Sequence, residues 1–139
     1  MNILQFSFDS SEESDYLPHN YTHNCVVYTG THDNDTVMGW YDTLKGADKK
    51  LCDDYLRLKN ADGEPIPIEQ LPWEFVRAAM SSVADLAIIP MQDYLGLGSE
   101  ARINIPSTLG INWKWRMGNG DFTKELAGRI RSMTKLYGR

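Results

Sequence analysis

Hydrophobic and polar residues alternate along the chain in a way that predicts three short β-strands. The first covers residues 3–8, where the apolar side chains at every second position would share one face. The second covers residues 25–31, which are rich in β-branched and aromatic side chains. The third covers residues 86–92 and is apolar on both faces until its end. A strand of this last kind is typical of parallel sheets that helices cover on both sides.

Between and after these strands, apolar residues recur with the spacing of amphipathic helices. One helix is expected to start near Asp35 and to run through Tyr41, and a second to cover residues 48–59. A third begins at Pro72, a residue suited to the first turn of a helix. The last helix is predicted by one apolar stripe, which consists of Phe122, Leu126, Ile130, Met133 and Tyr137.

The order strand, helices, strand indicates parallel α/β architecture, because parallel strands must be joined by a long crossover connection. A sheet of only three parallel strands would leave two unpaired edges and much uncovered apolar surface. We therefore expect residues 1–139 to be part of a larger α/β fold. We also expect the isolated chain to self-associate through its exposed edges or by exchange of elements between copies.

Composition narrows the class of protein further. The 139 residues are 42% hydrophobic and 24% charged, which fits one globular unit and not a disordered chain. The net charge of −5, without clusters of Lys or Arg, argues against nucleic-acid binding. No apolar run approaches the roughly 18 residues that a membrane-spanning helix needs. With only two cysteines, a reducing cytoplasm is the predicted location.

Polar residues cluster where the predicted strands end. Asp9 follows the first strand, residues 32–35 (His-Asp-Asn-Asp) follow the second, and residues 92–93 (Gln-Asp) follow the third. Ligands of parallel α/β folds bind beyond the carboxyl ends of the strands, so these residues predict one shared polar site. A simpler interpretation is that one of residues 33–35 caps the helix that begins there. Four consecutive polar residues exceed what one cap needs, so a cap and a site can coexist.

Two histidines suggest a different chemistry. His19 and His23 are spaced so that, on a helix, both could hold a metal ion together with His32 or Asp33. Pro18 and the strand from residue 25 leave little room for such a helix. A small metal-dependent hydrolase built on the three histidines is therefore an alternative function with weak support.

Two further patterns concern possible ligands. Residues 96–101 match the glycine pattern of dinucleotide-binding proteins, but the helix and second strand that this pattern requires do not follow them. Trp113 and Trp115 would share one face of an extended segment and could stack on sugar rings, although packing in a core is the commoner role. A non-catalytic carbohydrate-binding module is therefore a second alternative function.

Four longer strings carry a resemblance to a known family. They are residues 16–21 (Tyr-Leu-Pro-His-Asn-Tyr), 28–36 (Tyr-Thr-Gly-Thr-His-Asp-Asn-Asp-Thr), 96–106 (Gly-Leu-Gly-Ser-Glu-Ala-Arg-Ile-Asn-Ile-Pro) and 112–116 (Asn-Trp-Lys-Trp-Arg). With these strings the chain resembles the 4-α-glucanotransferases of the amylomaltase, or disproportionating enzyme, family, which are (β/α)8 barrels of the α-amylase clan. The resemblance runs from the first predicted strand nearly to the end of the chain.

The resemblance implies a retaining enzyme that cuts an α-1,4 bond and passes the glucan segment to the 4-hydroxyl of another sugar. Its substrates would be maltooligosaccharides, α-1,4-glucans and glucose, and no cofactor or metal is implied. Asp33 matches the family's third catalytic acid, which stabilises the positively charged transition state, and His32 would bond the same sugar. Asp9 and Asn104 are further candidates for substrate contacts. Glu100 and Arg102 are expected to form a structural ion pair.

By the same resemblance, the three predicted strands correspond to barrel strands six, seven and eight. The nucleophilic Asp and the acid/base Glu belong to strands four and five, which would lie before Met1. A whole barrel typically needs about 250 residues. Residues 1–139 are therefore expected to be a C-terminal fragment of the catalytic (β/α)8 domain, an incomplete barrel that is inactive alone.

Overall fold

A computed structural model describes residues 1–139 and contains one parallel sheet of three strands in the order β1-β2-β3. The central strand is β2, because its Val27 pairs with Asn2 on one side and with Ala87 on the other. Parallel α/β architecture is thus confirmed, and the chain forms an open sheet and not a closed barrel. The elements are β1 (Asn2–Ile3), β2 (Val26–Tyr28), α1 (Val37–Tyr41), α2 (Gly46–Leu56), α3 (Leu71–Met80), β3 (Leu86–Ile88), α4 (Met91–Leu95) and α5 (Lys124–Leu136).

All three strands are shorter than the sequence pattern predicts. The prediction of a strand over residues 3–8 is wrong beyond Ile3, because the chain continues into a 3₁₀ turn at Leu4–Phe6. In that turn both Leu4 and Gln5 are buried, which a strand with alternating faces would not allow. The third strand ends at Ile88, and α4 begins soon after it, so residues 92–93 lie on a helix and not at a strand end.

The four predicted helices are present with shifted ends. The third begins one residue before Pro72. The second ends at Leu56, because Arg57 adopts the left-handed conformation, with φ of 57°, and cannot continue the helix. The last begins at Lys124, with the Thr123 hydroxyl accepting a hydrogen bond from the backbone N–H of Leu126 at 3.1 Å.

The main hydrophobic core lies between one face of the sheet and helices α1, α2 and α3. Its centre is Phe75 of α3, which is fully buried and makes edge contacts with the rings of Phe8, Trp40 and Tyr41. A second cluster forms where the apolar stripe of α5 packs on the outer side of α3. Its buried members are Trp73, Val76 and Met80, and the side chains against them, from α5 and the residue that follows it, are Leu126, Ile130, Met133 and Tyr137.

The other face of the sheet is open. Leu86 and Ile88 of β3 are 51% and 40% exposed, so the predicted burial of both faces of this strand is not found in this chain. The open face leads to the carboxyl ends of the strands, where the candidate site lies. None of the helices combines the length and the hydrophobicity that a membrane-spanning segment requires.

Candidate functional site

A concave pocket of about 800 Å³ lies at the carboxyl ends of the three strands. The last residue of each strand lines it: Ile3, Tyr28 and Ile88. The walls are mostly apolar, and the polar groups come from the segment that follows β2 and from Gln92 of α4. This is the arrangement expected of a ligand site in a parallel α/β fold, with a few polar groups placed on an apolar surface.

Asp33 is the only acidic residue among those that line this pocket. About half of its side chain is exposed, so the carboxylate faces the open space near the strand ends. Its Oδ1 atom accepts a hydrogen bond from Asn104 Nδ2 at 2.7 Å and lies 3.3 Å from His32 Nε2. The structure thus brings together three of the four predicted site residues, one of which, Asn104, is 71 positions away from Asp33 in sequence.

The helix-cap interpretation of residues 33–35 is wrong, because Thr36 caps α1. The Thr36 hydroxyl accepts a hydrogen bond from the backbone N–H of Gly39 at 3.1 Å. Asn34 instead closes a tight turn, where its Oδ1 accepts bonds from the backbone N–H and the hydroxyl of Thr31. The carboxylate of Asp33 therefore has no capping role and remains available to a ligand.

Residues 30–36, which we call the site loop, are held from several sides. Gln5 Nε2 donates to the carbonyl oxygen of Asp35 at 2.8 Å, and Ser99 Oγ donates to the Asp35 carboxylate at 2.7 Å. The loop also approaches Gln5 so closely that a Cβ atom on Gly30 would lie 2.5 Å from its amide nitrogen. A residue larger than glycine at position 30 would therefore displace Gln5 or the loop.

Arg102 holds the backbone of the site loop directly. Its guanidinium donates to the carbonyl oxygen of Asp33 at 2.7 Å and to that of Asn104 at 2.9 Å. The predicted ion pair between Arg102 and Glu100 is wrong, since Glu100 accepts a bond from the backbone N–H of Gly98. The sequence pattern does not predict that Arg102 holds the site loop. The carbonyl groups of Asp33 and Asn104, to which it donates, come together only in the folded chain.

The structure does not bring Asp9 to this cluster. The sequence pattern predicts Asp9 at the end of a strand over residues 3–8, but β1 ends at Ile3. Its carboxylate accepts bonds from the backbone N–H and the hydroxyl of Ser11, which hold the pKa of Asp9 below its usual value. Asp9 does not line the pocket of Asp33.

The histidines of the metal hypothesis are not gathered into one site. His19 Nδ1 lies 3.0 Å from the hydroxyl of Tyr55, whereas the His32 ring lies beside Asp33 and against the indole of Trp113. No group of three or more His, Cys, Asp or Glu side chains is placed to hold a metal ion. The structure therefore gives the metal-dependent hydrolase no support.

Trp113 lies at the edge of the candidate site. Its ring centroid is 5.0 Å from that of His32, with the two planes tilted by 38°, and 57% of the residue is exposed. The segment is not the extended one that would place Trp113 and Trp115 on one face, because Trp113 has a positive φ of 63°. The backbone N–H of Trp113 donates to the carbonyl oxygen of Ile103 at 2.7 Å, which fixes the indole near His32.

Comparison with known proteins places this chain in a family. The family model described as 4-alpha-glucanotransferase matches residues 1–121, and the chain belongs to this family, glycoside hydrolase family 77. The chain is 48% identical to the 4-alpha-glucanotransferase of Clostridium butyricum over 140 residues, which cover 100% of this chain and 27% of that protein. It is 44% identical to the chloroplastic/amyloplastic 4-alpha-glucanotransferase of Arabidopsis thaliana over 142 residues, covering 100% of this chain and 23% of that protein.

A solved structure gives the same result. An amylomaltase from Streptococcus agalactiae in complex with acarbose superposes with a TM-score of 0.87 at 34% identity, covering 100% of this chain and 27% of that one. The chain thus spans about a quarter of the length of the relatives that it matches. The predicted family is confirmed.

Proposed function

We propose that this chain supplies one part of the active site of a 4-α-glucanotransferase, in which Asp33 stabilises the transition state of glucan transfer. The observation that carries the proposal is the position of the Asp33 carboxylate. It is half exposed, lies at the carboxyl ends of the parallel strands, and is oriented by Asn104. The family to which the chain belongs and the acarbose that accompanies the amylomaltase relative support an α-glucan as the ligand.

The physical reason for this role is the charge that develops during the reaction. Cleavage of a glycosidic bond passes through a transition state in which the sugar ring resembles an oxocarbenium ion. A fixed carboxylate next to that ring stabilises the charged transition state more than the neutral substrate, and this difference accelerates the reaction. His32 and Asn104, which touch Asp33, are placed to bond hydroxyl groups of the same sugar.

A retaining transfer also needs a nucleophilic carboxylate and a carboxylic acid/base about 5–5.5 Å apart. Asp33 is the sole acid of the pocket, so this chain presents no such pair there. We expect both groups to come from barrel strands four and five, with this chain contributing strands six to eight. On this basis the isolated chain is expected to form no glucose and no longer oligosaccharides from maltotriose, and turnover by the isolated chain would contradict the assignment.

The direct test uses a whole enzyme. This chain would replace the matching 140 residues of the Clostridium butyricum 4-alpha-glucanotransferase, and the chimaera would be assayed for disproportionation of maltotriose. Asp33→Asn should reduce kcat by about 10²–10³-fold, because it removes the fixed negative charge at the transition state. Asp62→Asn, which changes an exposed acid in the turn between α2 and α3, should leave the rate unchanged.

A near-normal rate for Asp33→Asn in a folded chimaera would reject the proposal. If the chain were instead a carbohydrate-binding module, binding of maltooligosaccharides would depend on Trp113, and no variant of Asp33 would change a rate.

Trp113 also contributes to the proposed site, since its exposed ring next to His32 can stack on a sugar. Trp113→Ala is expected to raise KM more than it lowers kcat.

A further inference from the structure

A single buried carboxylate holds both ends of the site loop. Asp93, on α4, is only 1% exposed. Its Oδ2 accepts a hydrogen bond from the Thr29 hydroxyl at 2.5 Å, and its Oδ1 accepts one from the backbone N–H of Val37 at 2.8 Å. Thr29 is the residue just before the site loop, and Val37 is the residue just after it, where α1 begins. Neither the mechanism above nor the helix cap uses this group.

The other contacts of the site loop do not close it in this way. Gln5, Ser99, Arg102 and Asn104 each bond a residue inside the loop. Only Asp93 bonds the residues that flank it on both sides, and those two residues are 64 and 56 positions away from it in sequence. Its two carboxylate oxygens therefore fix the distance between the end of β2 and the start of α1, which sets the span of the loop.

Burying this group costs free energy. The pKa of Asp93 is raised to about 6, chiefly by burial and in smaller part by the nearby carboxylate of Asp35, against the lowering effect of the bonds from Thr29 and Val37. In some proteins a buried polar or charged group of this kind fixes one conformation that an apolar side chain would not specify. A carboxylate offers two acceptor oxygens in fixed positions, whereas an apolar side chain of similar size offers none.

The surroundings of Asp93 link it to the residues that hold Asp33. A small cavity of about 10 Å³ separates α4 from the site loop. The charged groups that line it are Asp93, Asp35 and Arg102. Arg102 is the residue that also donates to the carbonyl of Asp33. A change in the charge or position of Asp93 therefore acts on the loop from its ends and through this shared cavity.

We propose that Asp93 is a positioning residue, which sets the site loop so that the Asp33 carboxylate meets Asn104 and faces the pocket. The proposal rests on the proposed function only in taking Asp33 as the group that is positioned. Asp93 does not line the pocket of Asp33 and acts through the backbone of the loop.

The test on the chain itself is nuclear magnetic resonance of the 139-residue protein. The side-chain amide of Asn104 reports its bond to Asp33, and the backbone amide of Val37 reports its bond to Asp93. Asp93→Ala should shift or broaden both signals. Asp53→Asn, which changes a buried carboxylate bonded to Tyr41 instead, should leave both signals in place. Unchanged signals in a folded Asp93→Ala protein would overturn the proposal.

Asp93→Asn covers the case in which the alanine variant does not fold. Asparagine keeps one oxygen for the Val37 N–H but offers an N–H group to Thr29, so the positioning should be partly restored. In the unmodified protein the amide signal of Val37, which bonds Asp93 directly, should move with a midpoint near pH 6, and this movement should disappear in Asp93→Asn. A movement of the Val37 signal near pH 6 that persists in Asp93→Asn would assign it to another group and reject the role.

The effect of Asp93 on catalysis is measured in the chimaeric enzyme. Asp93→Ala should lower kcat at least about tenfold with less change in KM, Asp93→Asn should lie between it and the unmodified enzyme, and Asp53→Asn should have no effect. If the amide signals respond but Asp33→Asn does not alter transfer, the proposed function fails and the positioning role stands. If Asp33→Asn abolishes transfer while Asp93→Ala changes neither signals nor rate, the positioning role fails and the proposed function stands.

Discussion

At the scale of single residues, the chemistry of Asp33 depends on what its neighbours leave free. Thr36, and not Asp33, caps the N-terminus of α1, and Asn34 closes the turn of the site loop by accepting a hydrogen bond from Thr31. Asp33 keeps a half-exposed carboxylate whose one side-chain hydrogen bond comes from Asn104. A carboxylate that is held but not neutralised can interact with a charge that appears only during the reaction.

The bond from Asn104 is the first prediction at this scale. Asn104→Ala should lower kcat of the chimaeric enzyme by about 10–100-fold, because a hydrogen bond to a charged group contributes about 1.5–3 kcal/mol. Steady-state transfer from maltotriose measures the effect. Asn60→Ala, in the exposed turn after α2, is a control that should leave the rate unchanged. An equal loss in the two variants would mean that the decrease does not come from Asp33.

Asp93 also predicts how stability depends on pH. Its pKa is about 6 in the folded protein and near the usual 3.8 in the unfolded chain, so between these values the folded protein binds the proton more tightly. Its contribution to the free energy of unfolding is therefore fully present below pH 3.8, decreases as the pH rises toward 6, and then stays constant. The total change is roughly 3 kcal/mol.

Asp93→Asn removes this pH dependence, because the amide does not titrate. The difference in free energy of unfolding between the variant and the unmodified protein should shift in favour of the variant between pH 4 and pH 7. Urea denaturation at several pH values measures it. Parallel curves for the two proteins would contradict the prediction.

At the scale of elements, close packing of α1 leaves no room for a side chain at one glycine. A Cβ atom on Gly39 would lie 2.2 Å from Ser99 Oγ and 2.8 Å from a carboxylate oxygen of Asp35. Gly39→Ala should therefore destabilise the protein by about 1–3 kcal/mol, as other overpacked sites do. Gly128 of α5 has no neighbour within 4 Å of its Cβ position. Gly128→Ala should stabilise by about 0.5–1 kcal/mol. Urea denaturation of both variants measures the pair, and equal effects would contradict the packing argument.

The two long helices α3 and α5 should differ in local stability. Eight residues of α3 are buried, whereas α5 has none and touches the rest of the chain through one apolar stripe and through Arg129, whose guanidinium lies over the ring of Trp73. Local opening is easier where few apolar contacts must be broken. Amide hydrogen exchange in α5 should be at least about tenfold faster than in α3. Equal protection of the two helices would show that α5 opens only when the whole chain unfolds.

At the scale of the whole molecule, the open face of the sheet predicts self-association. β1 and β3 each have one unpaired edge, and Leu86 and Ile88 expose apolar surface beside it. Sedimentation velocity over a range of protein concentrations should therefore show species larger than the monomer. Leu86→Lys should reduce them. Leu109→Lys, at a loop residue that is 98% exposed, is a matched control that should not. A monomer at all concentrations would contradict this prediction.

The location of the protein stays a prediction. Cys25 and Cys52 are both free thiols. Cys52 is buried, and burial raises the pKa of its thiol, so it is protonated and unreactive at neutral pH.

The sequence by itself determined the order of the main elements, the family and the position of the proposed catalytic acid. The apolar periodicities of the strands and helices are local properties, and the strings around residues 28–36 and 96–106 carry the family's identity without reference to coordinates. That Asp33 and His32 follow the second strand could be read in the same way, because a strand and the residues after it are adjacent in the chain.

Only the tertiary structure decided where the strands end, which residue caps α1, and which side chains reach the site loop. Asp9 was misplaced because the end of β1 depends on its pairing with β2 and on the burial of Gln5. The contacts of Asn104 with Asp33 and of Asp93 with Thr29 join residues 71 and 64 positions apart. Such contacts arise from the packing of α4 and the segment after it against the end of the sheet, which no local pattern of residues records.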